Sequence, residues 1–177
     1  MRPTAEHGAR SERPQRPETV ILFFVGRQIF AIAADSVQEI RSTDSLAGAA
    51  IEINRPELPK VRHTIERSRR AYYVVNAAVH FNLPVTRPAL VLILRNLRAA
   101  VLVDRIERMA EISAVYSLPQ AFAGEERRWY RGLAYLDDVV IPVINPGGFL
   151  AQEDFQRLDR AASAAASQRE MEGAVRP

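Results

Sequence analysis

The sequence predicts a mainly β fold: two small β-barrels packed together, followed by a C-terminal α-helix. Three observations predict it. Short β-branched and aromatic runs recur between turn residues, at spacings that suit small barrels better than an α/β sheet. The pattern of runs and turns restarts halfway along the chain. The segment from Phe149 to Met171 has no proline and consists of good or neutral helix formers.

The elements follow in order. Residues 1–18 combine three prolines with charges of both signs and little to bury, the composition of a disordered N-terminal arm. Val20–Val25 is a strand, Gly26-Arg27-Gln28 a turn, and Ile29–Ile32 the returning strand of a hairpin. Asp35 and Ser36 can cap a short helical turn over Val37–Ile40. A long connection over Thr43–Lys60 and a basic stretch over Val61–Arg70 lead to a strand at Ala71–Val75, and Phe81–Pro84 ends this half. The second half repeats the scheme. Ala89–Leu94 and Ala99–Val103 flank the turn Arg95–Arg98, Met109–Ile112 continues the run, and Ala114–Glu126 is an irregular connection. Trp129–Leu136 and Val139–Ile144 flank the turn Asp137-Asp138, and Pro146-Gly147-Gly148 stops the last strand.

A shift of 69 residues carries Phe24 to Ile93, Asp35 to Asp104, Val37 to Ile106, Val75 to Ile144, Asn76 to Asn145 and Phe81 to Leu150. One constant offset over more than fifty residues predicts a doubled unit. We therefore expect one domain over 19–150, with barrels at about 19–88 and 89–150, and a helix and tail over 151–177. A unit of that length is marginal alone, burying only about 60% of its unfolded surface, so the two should share an apolar interface. In the helix, Phe149, Phe155, Leu158, Ala162 and Ala165 form the expected packing stripe, and Glu153 and Asp154 suit the first turn.

Composition narrows the function. The 177 residues are 47% hydrophobic and 25% charged, ordinary globular values. There is no cysteine, which excludes disulfides, thiol catalysis and cysteine-ligated metals. The three histidines, His7, His63 and His80, share no metal-ligand spacing, and no cofactor or metal is expected. No serine sits in a Gly-x-Ser-x-Gly turn, and Asp137-Asp138 reads as a hairpin turn before it reads as an acid/base pair, so the chain is not expected to be an enzyme. The longest apolar runs, Val20–Val25 and Ala89–Leu94, fall far short of the roughly 18–20 residues of a spanning helix, and the N-terminus lacks the apolar core of a secretory signal. A soluble cytoplasmic protein is expected.

Of 24 basic residues, 23 are arginine and only Lys60 is lysine, for a net charge of +3. The excess lies within 19–150, with sixteen basic and thirteen acidic residues, and not in a tail. The Arg62–Tyr73 strip, with Arg67, Arg69, Arg70 and two tyrosines, supports an alternative reading: a small-barrel protein that binds nucleic-acid phosphates and stacks bases. Glu57 and Glu66 interrupt the strip.

Three stretches in order resemble the CheW family of chemotaxis coupling adaptors. ILFFVGRQIFAIAADSVQEIR at Ile21–Arg41 is similar to the family's opening hairpin and its Asp/Glu-x-Val-x-Glu-Ile signature. VLILRNLRAAVLVDRIERMAEI at Val91–Ile112 is similar to its Val-Asp-x-Val hairpin, and YRGLAYLDDVVIPVINPGGFL at Tyr130–Leu150 to its Gly-Val-Ala ending. The resemblance spans about residues 19–165. It implies two SH3-like five-stranded barrels and a non-catalytic scaffold that couples the cytoplasmic tip of chemoreceptors to the regulatory domain of a sensor histidine kinase, in the cytoplasm and associated with membrane receptor arrays. It places partner contacts at Val37, Glu39 and Arg41, while Ile40 is expected in the core. The family's Arg-Gly pair corresponds here to Ser68-Arg69, its proline to Tyr73 and its aspartate to Asn76. Ser68 and Arg69 are thus also expected at the interface, with Arg67 or Arg69 available to supply the charge.

Overall fold

The computed structural model describes residues 17–46, 50–53, 56–84 and 86–174. Most of the expected arm, residues 1–16, lies outside them, but Glu18 already belongs to the first strand. Among the described residues eleven strands follow one another: β1 (Glu18–Val25), β2 (Gln28–Ala33), β3 (Val37–Ser42), β4 (Ala50–Glu52), β5 (Val61–Arg67), β6 (Arg70–Asn76), β7 (Leu90–Leu94), β8 (Ala99–Val103), β9 (Arg105–Ile112), β10 (Tyr130–Leu136) and β11 (Val139–Ile144). A single helical turn, α1 (Ala77–His80), follows β6, and the long helix α2 (Gln152–Ala174) comes last.

The strands form two sheets, one of five strands in the order β10-β11-β2-β1-β9 and one of six in the order β3-β7-β8-β6-β5-β4. Hydrogen bonding closes neither into a full barrel, and the short β4 makes the second sheet larger than expected. The 69-residue shift carries β5 onto residues 130–136, β6 onto 139–145 and α1 onto 146–149, where β10, β11 and a short 3-10 turn lie. Register follows suit. The parallel pair Val74↔Ala100 in one sheet matches Val143↔Ala31 in the other. Asn76 and Asn145 both cap the turn after their strand, accepting from Val79 N–H and Gly147 N–H at 3.2 Å each.

The sheets do not divide at residue 88. The first sheet takes β1 and β2 from the first half and β9–β11 from the second; the other takes β7 and β8 with β3, β5 and β6. The expectation of one barrel per half therefore gives way to strand exchange. Two contacts lock the crossing. Asp104 accepts from the Gly26 N–H at 2.5 Å, and Arg95 donates from Nε to the Asp35 carbonyl at 2.8 Å.

Burial explains why the strands read as continuous apolar runs. One face of the five-stranded sheet curls over Val20, Leu22, Ala31, Ala134, Ile141 and Val143, and one face of the other over Leu46, Ile65, Val74, Val91, Ile93 and Ala100. The opposite faces meet in a common core of Ile21, Phe23, Phe30, Ile32, Tyr73, Leu92 and Val101, which α2 covers with Leu158 and Ala161. With both faces buried, alternation disappears. Phe81 anchors this core, its ring stacked on Phe30 at 4.7 Å and on Tyr130 at 5.9 Å. On α2, Leu158 and Ala161 are the deepest side chains, in place of the expected Ala162, and Phe149 is buried just before the helix begins. The side chain of Ala165 lies outside the described residues.

Two segments differ from expectation. Val37–Ile40 is not a helical turn: a 3-10 turn at Ala34–Ser36 precedes it, and β3 pairs antiparallel with β7. Val61–Arg67 is a strand, with Val61, Thr64 and Ile65 buried and Arg62 and Glu66 outward. β3 finds its partner β7 some fifty residues on, whereas β5 pairs with β6 across a two-residue turn and turns its β-branched Val61, Thr64 and Ile65 inward.

Candidate functional site

The strand β3 lies at the edge of the six-stranded sheet and carries a bulge between Val37 and Glu39. Edge strands that stay soluble carry charges, and β3 carries Glu39 and Arg41. Glu39 accepts Arg41 Nε at 3.0 Å on one carboxylate oxygen and Arg67 Nη2 at 2.7 Å on the other. Arg67 ends β5 and also lies over the Tyr72 ring, 6.0 Å from its centroid, with its Nη1 buried and without a hydrogen bond. Because β3 and β5 are otherwise separated by β7, β8 and β6, this pair draws the two margins of the curled sheet together.

Between β5 and β6, Ser68 and Arg69 form a two-residue turn with φ of 50° and 60°, the left-handed pair that matches the twist of a hairpin. At the shifted position in the other sheet, Asp137 and Asp138 do the same with φ of 49° and 61°. These aspartates serve the turn: Asp137 pairs with Arg108 of β9, and Asp138 accepts the Tyr135 hydroxyl at 3.1 Å. The repeat relates only one partner of each pair: the shift carries Glu39 onto Arg108, whereas Asp137 corresponds to Ser68 and Arg67 to Leu136.

The five residues expected at an interface therefore separate. Glu39, Arg41, Ser68 and Arg69 lie together at one end of the sheet with surface to offer, whereas Val37 is buried and anchors β3 from beneath. Ile40, expected in the core, is 41% exposed. The bulge at Gln38 sets Val37 opposite Leu94 and Ile40 opposite Leu92, so both lie towards one face of the sheet, and Ile40 stays exposed on the edge strand. The surface thus has an apolar residue beside its charges that sequence reasoning missed.

The Arg62–Tyr73 strip does not form a base-stacking platform. Tyr73 is fully buried, and its hydroxyl bonds the Asp159 carboxylate on α2. Arg98 binds that carboxylate with both Nη atoms, at 2.9 and 2.8 Å, which holds the Asp159 carboxyl below its usual range. Burial, with the neighbouring carboxylate, raises the Tyr73 hydroxyl well above its ordinary value. His80 is buried against Phe81, Trp129 and Phe149, and burial, reinforced by Lys60, pushes it down to about 3. It is a neutral core residue. His63 lies half-buried on β5, His7 is outside the described residues, and among the described residues no group of three potential ligands could hold a metal. None of the described helices is long and apolar enough to cross a membrane.

The model of the CheW-like domain matches residues 19–154. The chain belongs to the CheW-like domain family. A crystal structure of the scaffolding protein TtCheW from Thermoanaerobacter tengcongensis is similar in fold, with a TM-score of 0.63 at 16% identity, covering 77% of this chain and 95% of that one. A search of curated proteins gave no match. CheW-like proteins are soluble, cytoplasmic, non-catalytic scaffold adaptors of chemotaxis, and nothing favours the nucleic-acid reading.

The departures of this CheW-like chain from the family pattern now have physical readings. Arg69 occupies, with φ of 60°, the step at which the family has glycine, the residue best suited to that conformation. Arg67, one position before the family's arginine, reaches Glu39. Tyr73 replaces the family's proline and spends its hydroxyl on the C-terminal helix. Gly132, which the family shares, is required because a Cβ there would run into the Tyr116 carbonyl oxygen, where Tyr116 bridges Leu133.

Proposed function

We propose that this chain couples the cytoplasmic tip of a chemoreceptor to the regulatory domain of a sensor histidine kinase within membrane-associated receptor arrays, through the surface formed by Glu39, Ile40, Arg41, Ser68 and Arg69. Family membership over residues 19–154 carries the reading. The end of the sheet supports the location. An apolar Ile40 flanked by charged residues on a sheet edge has the make-up of a contact surface, where a few apolar anchors supply affinity and surrounding charges supply selection. Val37 contributes by fixing β3 to the core.

A reconstituted array of receptor, kinase and this protein tests the reading. Kinase activity should rise when the full chain is added and should fall back with Ile40→Asp. Folded protein that leaves kinase activity unchanged would remove the coupling function.

A further inference from the structure

A second feature opens beside this surface. The start of β6, the β7–β8 turn and the bulge of β3 enclose a concavity of about 390 Å³, lined by Gln38, Arg70, Tyr72, Arg95, Asn96 and Arg98. Its charge is uneven. Arg98 is neutralised by Asp159, which takes both of its Nη atoms. Arg95 is fixed by two backbone carbonyls, those of Asp35 at 2.8 Å from Nε and Val37 at 3.5 Å from Nη2, so it is held in place while keeping its full charge. Arg70 is exposed and has no hydrogen-bond or ion-pair partner among the described residues. Two uncompensated guanidinium groups, one of them immobilised, therefore face one polar hollow.

We infer that this hollow receives the carboxylates of an acidic, glutamate- or aspartate-bearing segment of the adaptor's protein partner. Guanidinium forks bind carboxylates with two parallel hydrogen bonds, and a fork already held by backbone carbonyls loses little freedom on binding. The volume lies within the range of pockets that take a ligand of several heavy atoms, larger than a single inorganic anion fills. Gln38, the extra residue of the bulge, supplies amide groups that can bond a peptide backbone, and Tyr72 supplies an apolar wall. The hollow is continuous with the proposed contact surface. Gln38 adjoins Glu39 in sequence, and Arg70 is the strand partner of Arg67 across the Ser68-Arg69 turn. The occupant is thus argued from charge complementarity and position, and the inference rests on the adaptor reading.

Titrations of the full chain, followed by amide NMR shifts, test it with three probes: a hexaglutamate peptide, inorganic phosphate, and a short single-stranded DNA. The peptide should shift Gln38, Arg70 and Asn96 together, and Arg70→Glu should weaken it about tenfold, the loss expected for a hydrogen bond between charged groups. The same variant should weaken binding of the receptor tip or of the kinase regulatory domain. Phosphate acting as strongly as the peptide at these amides would make the hollow a small-anion site and overturn the inference. DNA binding there more tightly than the peptide, with a steep salt dependence, would overturn it in favour of nucleic acid. Partner binding unchanged by Arg70→Glu would sink the inference while leaving the adaptor reading intact. Failure of the unmodified chain to bind either partner would instead remove the adaptor reading and, with it, the occupant assigned here.

Discussion

Glu39 on β3 and Arg67 on β5 meet at 2.7 Å although three strands separate them in the sheet. The contact does what backbone pairing does not: it ties the margins of an open sheet into a barrel-like curl. In the other sheet, Arg108 on the edge strand β9 reaches Asp137 in the β10–β11 turn, and the two-pronged Arg131–Glu18 pair, at 2.7 and 2.5 Å, links the opposite edge strand β10 to β1, the neighbour of β9. Glu39→Gln should therefore cost about 1 kcal/mol, at the upper end for partly exposed pairs, because it strands a half-buried guanidinium. A double-mutant cycle with Arg67→Gln, read by urea denaturation, should return a coupling of the same size. Additive single mutants would mean that the pair does not hold the edges.

The Ser68-Arg69 turn predicts the opposite sign. Arg69 adopts a φ of 60° that glycine tolerates better, so Arg69→Gly should raise stability by about 0.5–1 kcal/mol. The midpoint of chemical denaturation measures it. A lower midpoint would show that the arginine side chain stabilises the fold by more than its backbone costs.

Removal of one oxygen tests the docking of the C-terminal helix. Tyr73→Phe keeps the buried ring but deletes the bond to Asp159, leaving Arg98 as the remaining partner. Stability should fall by about 1 kcal/mol. Hydrogen exchange should quicken in α2 more than in the sheets; equal acceleration throughout would contradict a local latch.

His80 sets a pH dependence. Its folded pKa of about 3 lies below the unfolded value near 6.5, so between these limits the unfolded chain binds the extra proton. Stability from this group is therefore complete above about pH 6.5 and falls as pH drops towards 3, by at most about 1.4 kcal/mol per pH unit. His80→Leu should flatten that slope in denaturation measured from pH 7 to pH 4. An unchanged slope would assign the effect to other groups.

Much of this architecture could be read from the sequence because burial on both faces leaves a strong mark. Val20–Val25 and Ala89–Leu94 are unbroken apolar runs, and the 69-residue shift relates turns as well as strands. Part of what escaped depends on partners far along the chain. The polar residues of β3 resemble a capped turn until β7, some fifty residues on, is placed beside them. The outward charges of β5 hide the buried Val61, Thr64 and Ile65. Strand exchange leaves no local trace, since each hairpin reads the same whichever sheet it joins. Of the proposed contact surface, Glu39, Arg41, Ser68 and Arg69 are expected from motif position, whereas the exposure of Ile40 depends on β3 being an edge strand and the Arg70–Arg95 hollow draws on three separate segments. The repeat extends to exposure, since the shift pairs Ile40 with Met109, which is 61% exposed.

The central claim is that one chain holds two signalling partners at once. Sedimentation velocity of the full chain with a soluble receptor tip and the kinase regulatory domain tests it most directly. The account predicts a ternary species, larger than either pairwise complex and diminished by Ile40→Asp. Two pairwise complexes that exclude each other, or no complex with a folded chain, would contradict it.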